Sequence, residues 1–256
     1  MNQVEILKSL DAVLGRVLTA VIRSPRPVPI TDWTKVLFVR PGGIGDAVLL
    51  APAIQALQDV YPELVVDVLA EKRNASVFEL VPSVRQVFSY DRPADFFSVI
   101  SARYDAVIDT EQWHRLSAVF ARLVRSKVKL GFATNERKKL FTHTVTYSHE
   151  RYEAESFLRL LALLFPDIST AFKQKFLIVP ELARDSIAGR VGVTVPDRFV
   201  ALFPGASIPG RRWGGDNFHA LACRLSENDI PVVVVGGRDD HAVGNEILAG
   251  IDGANL

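Results

Sequence analysis

The stretch KVLFVRPGGIGDAVLLAPAIQAL, residues 35–57, reads as a buried strand, a glycine-rich turn and a helix. Val36, Leu37, Phe38 and Val39 form the short continuous apolar run of a central parallel strand. Gly42, Gly43 and Gly45 allow a tight turn and leave the main chain open to a ligand. From Ala47 to Leu57 apolar residues recur at helical spacing, with Pro52 placed early in the run, where a helix tolerates it. Such a unit puts its turn at the carboxyl edge of an open α/β sheet, where these folds bind ligands. Asp46 in that turn is either a carboxylate held over a cleft, as a general base would be, or a helix cap.

The turn is not a dinucleotide fingerprint. Counting G-x-G-x-x-G from Gly43 demands a small residue where Val48 stands. An acidic residue directly after the last glycine would also repel a pyrophosphate on that helix N-terminus. A nicotinamide-dependent enzyme is disfavoured on both grounds.

Outward from this unit, strands and helices alternate. Strands are expected at 65–70, 86–90, 106–109, 127–131 and 142–147, with helices at 74–81, 96–103, 113–124 and 152–165 between and after them. That alternation predicts an α/β fold with a doubly wound, mostly parallel sheet. Three prolines in 24–29 separate an N-terminal helix from the body, so residues 1–29 form a helix and linker and 30–180 a first domain. Residues 181–256 hold a connecting segment with a helix at 183–191, then a second, incomplete α/β unit. That unit shows two strands, 199–203 and 232–235, with helices at 216–227 (Asp216 as cap) and 241–249.

A net charge of +1 provides no global field for nucleic acid. The single cysteine, Cys223, excludes an internal disulfide and sits in a helical apolar pattern that suggests a buried thiol. No apolar run is long enough to span a bilayer. In the first helix Ile6, Leu10, Val13, Val17 and Val21 make one stripe, with Lys8, Arg16, Arg23 and Arg26 lending it a basic lean. Two readings stand for residues 1–24: packing on the body or a partner, or contact with an anionic membrane surface.

Four clusters fall at strand ends. The first is Arg40 with the glycine turn and Asp46; the second is DTEQWHR, 109–115, with Glu111 and Arg115 suited to a polyhydroxyl or anionic ligand. The third is Arg137-Lys138-Lys139, a compact basic patch for a phosphate or carboxylate, or simply a solvated charge run. The fourth, FPGASIPGRRWGGDNF at 203–218, offers small residues, Ser207, Arg211 and Arg212 as a diphosphate cradle, with Trp213 as a packing anchor. The five histidines show no metal-ligand spacing, so no metal site is expected.

Taken together, the first and fourth clusters resemble glycosyltransferase family 9, the ADP-heptose:lipopolysaccharide heptosyltransferases. The family's R-x-x-x-x-G-D turn is matched by Arg40 through Gly45-Asp46, and its P-G-A-S loop by Pro204-Gly205-Ala206-Ser207. Arg211 stands where the family usually has lysine, Trp213 follows one spacer later, and Gly236-Gly237 also matches. The resemblance covers roughly residues 35–256.

It implies a GT-B-like architecture of two Rossmann-like domains and an inverting, metal-independent transferase without a cofactor. Asp46 would be the general base. The acceptor, a lipopolysaccharide core, would meet Arg40, Gly42, Gly43, Gly45, Glu111, Arg115 and Arg137. The nucleotide-sugar donor, ADP-heptose or similar, would meet Gly205, Ser207, Arg211, Gly236 and Gly237. The resemblance also implies work in the cytoplasm, at the inner face of a membrane. Family members continue into a D-x-G-P-x-H-type segment that is not in these 256 residues, which implies weak donor binding and poor turnover by this chain alone. The alternative is a non-catalytic relative that binds or interacts.

Overall fold

Four consecutive apolar residues need cover on both faces of a sheet, and β1 (Lys35–Arg40) has it: Val36 to Val39 are fully buried. The computed structural model describes residues 11–27, 32–169, 171, 176–179, 196, 198–206 and 208–256. The chain divides into two compact units, Met1–Ile178 and Val179–Leu256. The helix expected at 183–191, Ser207, and Ile6 and Leu10 of the N-terminal stripe lie outside the described residues.

In the first unit α1 (Arg16–Val21) precedes β1, followed by α2 (Ile44–Val60), β2 (Val65–Ala70), α3 (Ala75–Glu79) and β3 (Val84–Ser89). Then come α4 (Pro93–Ser101), β4 (Arg103–Asp109), α5 (Arg115–Leu123), β5 (Arg125–Phe132), β6 (His143–Val145) and α6 (Glu153–Ala162). The six strands are all parallel, in the order β3-β2-β1-β4-β5-β6. Chain order reverses across β1, so the turn after it lies at the switch point of the sheet, where open α/β folds take ligands.

Alternation along the central strand sorts the interior into two layers. Val36 and Phe38 join Leu50, Ile54, Leu57 and Phe157 on one face. Leu37 and Val39 join Val107, Phe120 and Leu140 on the other. Each such side chain contributes about 1.5–3 kcal/mol by leaving water. The helix expected from Ala47 begins three residues earlier, at Ile44, so Pro52 sits inside it rather than near its start. The proline removes one helical N–H, and its ring lies in the buried face of α2. The helix expected from residue 113 starts instead at Arg115, which leaves Trp113 in the preceding turn.

The N-terminal helix packs on this unit with an unexpected face. A π-helical turn, Asp11–Gly15, leads into α1. Asp11, Gly15 and Thr19 are buried, and Leu18 and Ile22 pack against the second layer. The Asp11 carboxylate accepts the Leu116 N–H at 2.8 Å, which caps α5, and Gly15 lets the helix lie against Arg115. These specific contacts set the helix rotation, and the valine stripe is left outside: Val13, Val17 and Val21 are 69%, 54% and 75% exposed.

The second unit holds β7 (Val200–Leu202), α7 (Gly215–Ser226), β8 (Val232–Val234), α8 (His241–Ile247) and β9 (Gly253–Asn255). Its sheet is parallel in the order β7-β8-β9. It therefore has three strands where two were expected; Gly-Ala-Asn carries no apolar run to announce the third. Its core is Leu202, Ala222, Val232, Val234 and Ile247. Asp216 lies in the first turn of α7, whose N-cap is Gly214, and makes no capping bond. Cys223 is half-buried rather than buried, its Sγ 3.6 Å from His219 Nε2.

Lys129, on β5, is an interior cation without a carboxylate. Its Nζ donates to Val124 O at 2.9 Å and Ser126 Oγ at 2.8 Å, capping the end of α5. Burial, aided by the nearby Arg122, pushes it down to about 8 from an ordinary 10.5. Above that pH the folded protein sheds a proton that the unfolded chain keeps, so this group adds stability between about pH 8 and 10.5. Urea unfolding midpoints should rise over that window from this residue, and Lys129→Met should remove that increment; an identical pH dependence in both proteins would contradict it.

Candidate active site

Arg40 closes β1 and emerges at the carboxyl edge of the sheet, yet it is buried. A buried guanidinium needs partners for its donors. Nε donates to Pro41 O at 2.7 Å, Nη1 to Thr110 O at 2.8 Å and Nη2 to Glu111 Oε2 at 3.3 Å. The same Nη2 lies 3.7 Å from Asp46 Oδ2. This fan ties the turn after β1 to the loop after β4.

The glycine turn is held from its other side. The Gly42 N–H donates to Glu71 Oε1 at 3.0 Å. Asn74 Nδ2 donates to Arg40 O and Gly42 O at 3.2 and 3.1 Å, while its Oδ1 accepts the Glu71 N–H at 2.9 Å. Gly42 has φ +103°, and a Cβ there would meet Arg40 Nη2 at 3.1 Å, so glycine is required on two counts. Gly43, Ile44 and Gly45 are exposed, and around Gly45 the space is open.

Asp46 falls in the first turn of α2. Gly43 is the N-cap and has no side chain to offer, and among the described residues Asp46 accepts no hydrogen bond from the first turn of that helix. The capping role therefore does not explain Asp46. Its side chain is 47% exposed, and among the described residues its one ion pair is with Arg40. A carboxylate so placed, open to water on one side and facing a fixed cation on the other, can accept a proton from a bound hydroxyl.

The other acceptor-side candidates are placed differently from expectation. Glu111 is buried: Oε2 meets Arg40 and Oε1 accepts the N–H groups of Trp113 and His114 at 3.0 and 3.4 Å. Burial pulls its carboxyl upward, but the Arg40 charge and the Trp113 N–H outweigh it and hold Glu111 below the usual carboxylate range. Arg137, expected in an exposed basic patch, is fully buried. Its Nη2 pairs with Asp109 Oδ2 at 2.5 Å and its Nη1 donates to Glu111 O. Lys138 is exposed and Lys139 donates to Ala20 O at 3.1 Å, so the three residues form no patch. Arg115 donates twice to Glu136 Oε2, at 3.0 and 2.7 Å, and lies 3.9 Å from Asp11. Arg40, Glu111, Arg115 and Arg137 thus hold the site's frame, while Gly43, Gly45 and Asp46 form its surface.

Glu71 and Asn74 were not legible as site residues. Their signal is only a polar turn after β2, and their partners lie about thirty residues earlier in the chain. Near these groups the Tyr90 hydroxyl is buried and has no hydrogen-bond partner among the described residues. Burial, with the charges of Asp109, Glu71 and Glu111, drives that phenol well above its usual range.

In the second unit the loop after β7 carries Gly205, and Arg211 ends a 3₁₀ turn with its side chain in solvent. Arg212 folds back, its Nε donating to Ala206 O at 3.0 Å. Gly236 donates to Leu256 O at 3.0 Å and Gly237 to Asp240 Oδ2 at 3.1 Å. Asp240, also unforeseen, presses against Gly205 and Gly236, where no Cβ would fit. Among the described residues no three His, Cys, Asp or Glu side chains gather as a metal group.

Two parallel α/β units of this kind recur in solved structures. Escherichia coli heptosyltransferase WaaC with ADP aligns at TM-score 0.71 and 18% identity, covering 87% of this chain and 74% of that one. A family 9 glycosyl transferase from Veillonella parvula aligns at 0.71 and 16%, covering 88% and 69%. The fold class is GT-B-like α/β, with a small second sheet. Residues 96–255 match the family model of glycosyltransferase family 9 (heptosyltransferase), and the chain belongs to that family. Lipopolysaccharide heptosyltransferase 2 of Escherichia coli (strain K12) is 23% identical over 236 residues, 85% of this chain and 68% of its own length. Lipopolysaccharide heptosyltransferase 3 of the same organism is 24% identical over 233 residues, 81% and 65%.

Asp109→Ala strands the Arg137 charge in the interior. It should cost about 3–5 kcal/mol in denaturant unfolding; a loss below about 1 kcal/mol would show that Glu111 O and Ser117 suffice for that guanidinium.

Proposed function

We propose that this chain transfers a heptose-like sugar from an ADP-linked donor to a hydroxyl of a lipopolysaccharide core, with Asp46 as general base. The observation that carries the reading is the Asp46 carboxylate: half-exposed, uncommitted to capping, beside the buried Arg40 at the switch point of the sheet. Asp46 takes the acceptor hydroxyl proton as that oxygen attacks the anomeric carbon. The bond from that carbon to the diphosphate breaks on the opposite face, which inverts the centre. Arg211, with backbone groups of the loops at Gly205 and Gly236-Gly237 and with Ser207, would balance the charge on the departing diphosphate without a metal. The names of the relatives, lipopolysaccharide heptosyltransferases, and a related structure that holds ADP-2-deoxy-2-fluoro heptose support the donor and acceptor classes.

Asp46→Asn should lower transfer about 10²–10⁴-fold while leaving the melting temperature and calorimetric ADP binding unchanged. Retained turnover would remove Asp46 from the chemistry, and a wild type without turnover would favour a binding protein instead.

The exposed stripe of Val13, Val17 and Val21, with Leu14 and the exposed Arg16, Arg23 and Arg26 nearby, supports peripheral contact with an anionic bilayer, where a lipid-borne acceptor resides. Among the described residues no helix is long and apolar enough to cross a membrane. The protein should co-sediment with phosphatidylglycerol vesicles more than with phosphatidylcholine vesicles. Val17→Glu with Val21→Glu should abolish that difference; equal sedimentation of variant and wild type would refute this contact.

A further inference from the structure

We propose that Trp113, backed by His149, is the platform on which a sugar ring of the acceptor stacks beside Asp46. The inference rests on the reading of the Asp46 turn as the acceptor side. An indole that serves the core is normally covered, but Trp113 is 44% exposed. It stands in the turn between β4 and α5, at the same carboxyl edge of the sheet as the glycine turn.

Its position is fixed rather than loose. The Trp113 N–H donates to Glu111 Oε1 at 3.0 Å, and Asn135 Nδ2 donates to Trp113 O at 2.9 Å. The hydroxyl of Thr134 donates to the neighbouring Gln112 O. The ring lies flat against His149, with centroids 5.1 Å apart and planes 10° from parallel. The Tyr147 ring stands nearly perpendicular to both, with centroids at 6.1 and 5.1 Å, and lies 5.2 Å from the buried Phe132. Its hydroxyl donates to Glu153 Oε2 at 2.8 Å.

Two links join this platform to Asp46. Glu111 holds the Trp113 backbone with one oxygen and Arg40 with the other, and Arg40 faces Asp46. Tyr147, perpendicular to both platform rings, has its phenol pushed up by burial and by Glu153, with a smaller push from the Asp46 charge that Arg40 opposes. A half-exposed indole whose backbone is held by two hydrogen bonds suits the C–H face of a sugar ring. The ring buries apolar area there without ordering a flexible side chain, and its hydroxyls stay free for polar groups and water. A flat nucleobase is the rival occupant, and it would belong to the donor.

The test uses the full chain, with core oligosaccharide freed of acyl chains as acceptor. Trp113→Ala should raise the acceptor KM about tenfold, leave the donor KM within about twofold, and leave the melting temperature near that of wild type. Trp113→Phe, which keeps a ring on His149, should recover most of the loss. An unchanged acceptor KM, or a rise confined to the donor KM, overturns the platform. Calorimetry separates this from the fate of the base: Asp46→Asn protein should bind the oligosaccharide as wild type does, and adding Trp113→Ala should weaken that binding about tenfold. Transfer that survives Asp46→Asn would end the base reading while the Trp113 comparison stands. Oligosaccharide binding equal with and without Trp113, or none by wild type, overturns the platform.

Discussion

Burying a guanidinium at the end of the central strand constrains everything around it. Arg40 cannot keep its hydration where β1 leaves the sheet, so its donors must find oxygens within reach. The available ones are Pro41 O on its own turn, Thr110 O and Glu111 on the β4 loop, and more distantly Asp46. Each bond draws a separate segment toward one point. The turn after β1, the loop after β4 and the start of α2 are thereby registered against each other. Asn74 completes the set by binding the carbonyls on either side of Pro41, Arg40 O and Gly42 O. The glycines permit this turn; the polar partners choose it.

The same requirement explains why basic residues were the hardest part of the chain to read. Arg40, Arg115 and Arg137 all resemble ligand-binding cations when seen as letters, because nothing local reveals that a carboxylate waits 20 or more residues away. Arg137, Lys138 and Lys139 are consecutive in a 3₁₀ turn. Neighbours in such a turn point in different directions, since only i and i+3 align. One goes inward to Asp109, one to solvent and one to the N-terminal helix α1. A charge run is therefore a patch only where the backbone holds it extended or spaces it by whole turns.

The central strands of the first unit were legible for a simple reason: runs covered on both faces are mostly apolar, as 35–40 and 65–70 are, whereas only 106–109 of the longer strand 103–109 announced itself, because Arg103 and Asp105 interrupt its start. Where pairing depends on the backbone rather than on side chains, as at Gly253–Asn255, no such signal exists. The N-terminal helix shows the opposite failure. Its apolar stripe is strong, but rotation was decided by one carboxylate at the start of α5 and one glycine facing Arg115. Those contacts are long-range and polar, so hydrophobic periodicity could not anticipate them.

Four carboxylates crowd the carboxyl edge of the first sheet, and their commitments separate them. Asp109 neutralises Arg137, Glu111 neutralises Arg40 and takes two N–H groups, and Glu71 accepts the Gly42 N–H. Asp46 has the Arg40 contact at 3.7 Å and open water. Removing any of the first three side chains would take a short bond from a guanidinium or from the glycine turn; removing Asp46 would take one long ion contact. Glu111 shares the same Nη2, so the guanidinium keeps a counter-charge when the Asp46 charge is lost. Asp46 is half-exposed, so water screens its attraction to Arg40 and the pair contributes little to holding the turn. Three of the four are spent on the frame, and Asp46, on the first turn of α2, is the most exposed of them.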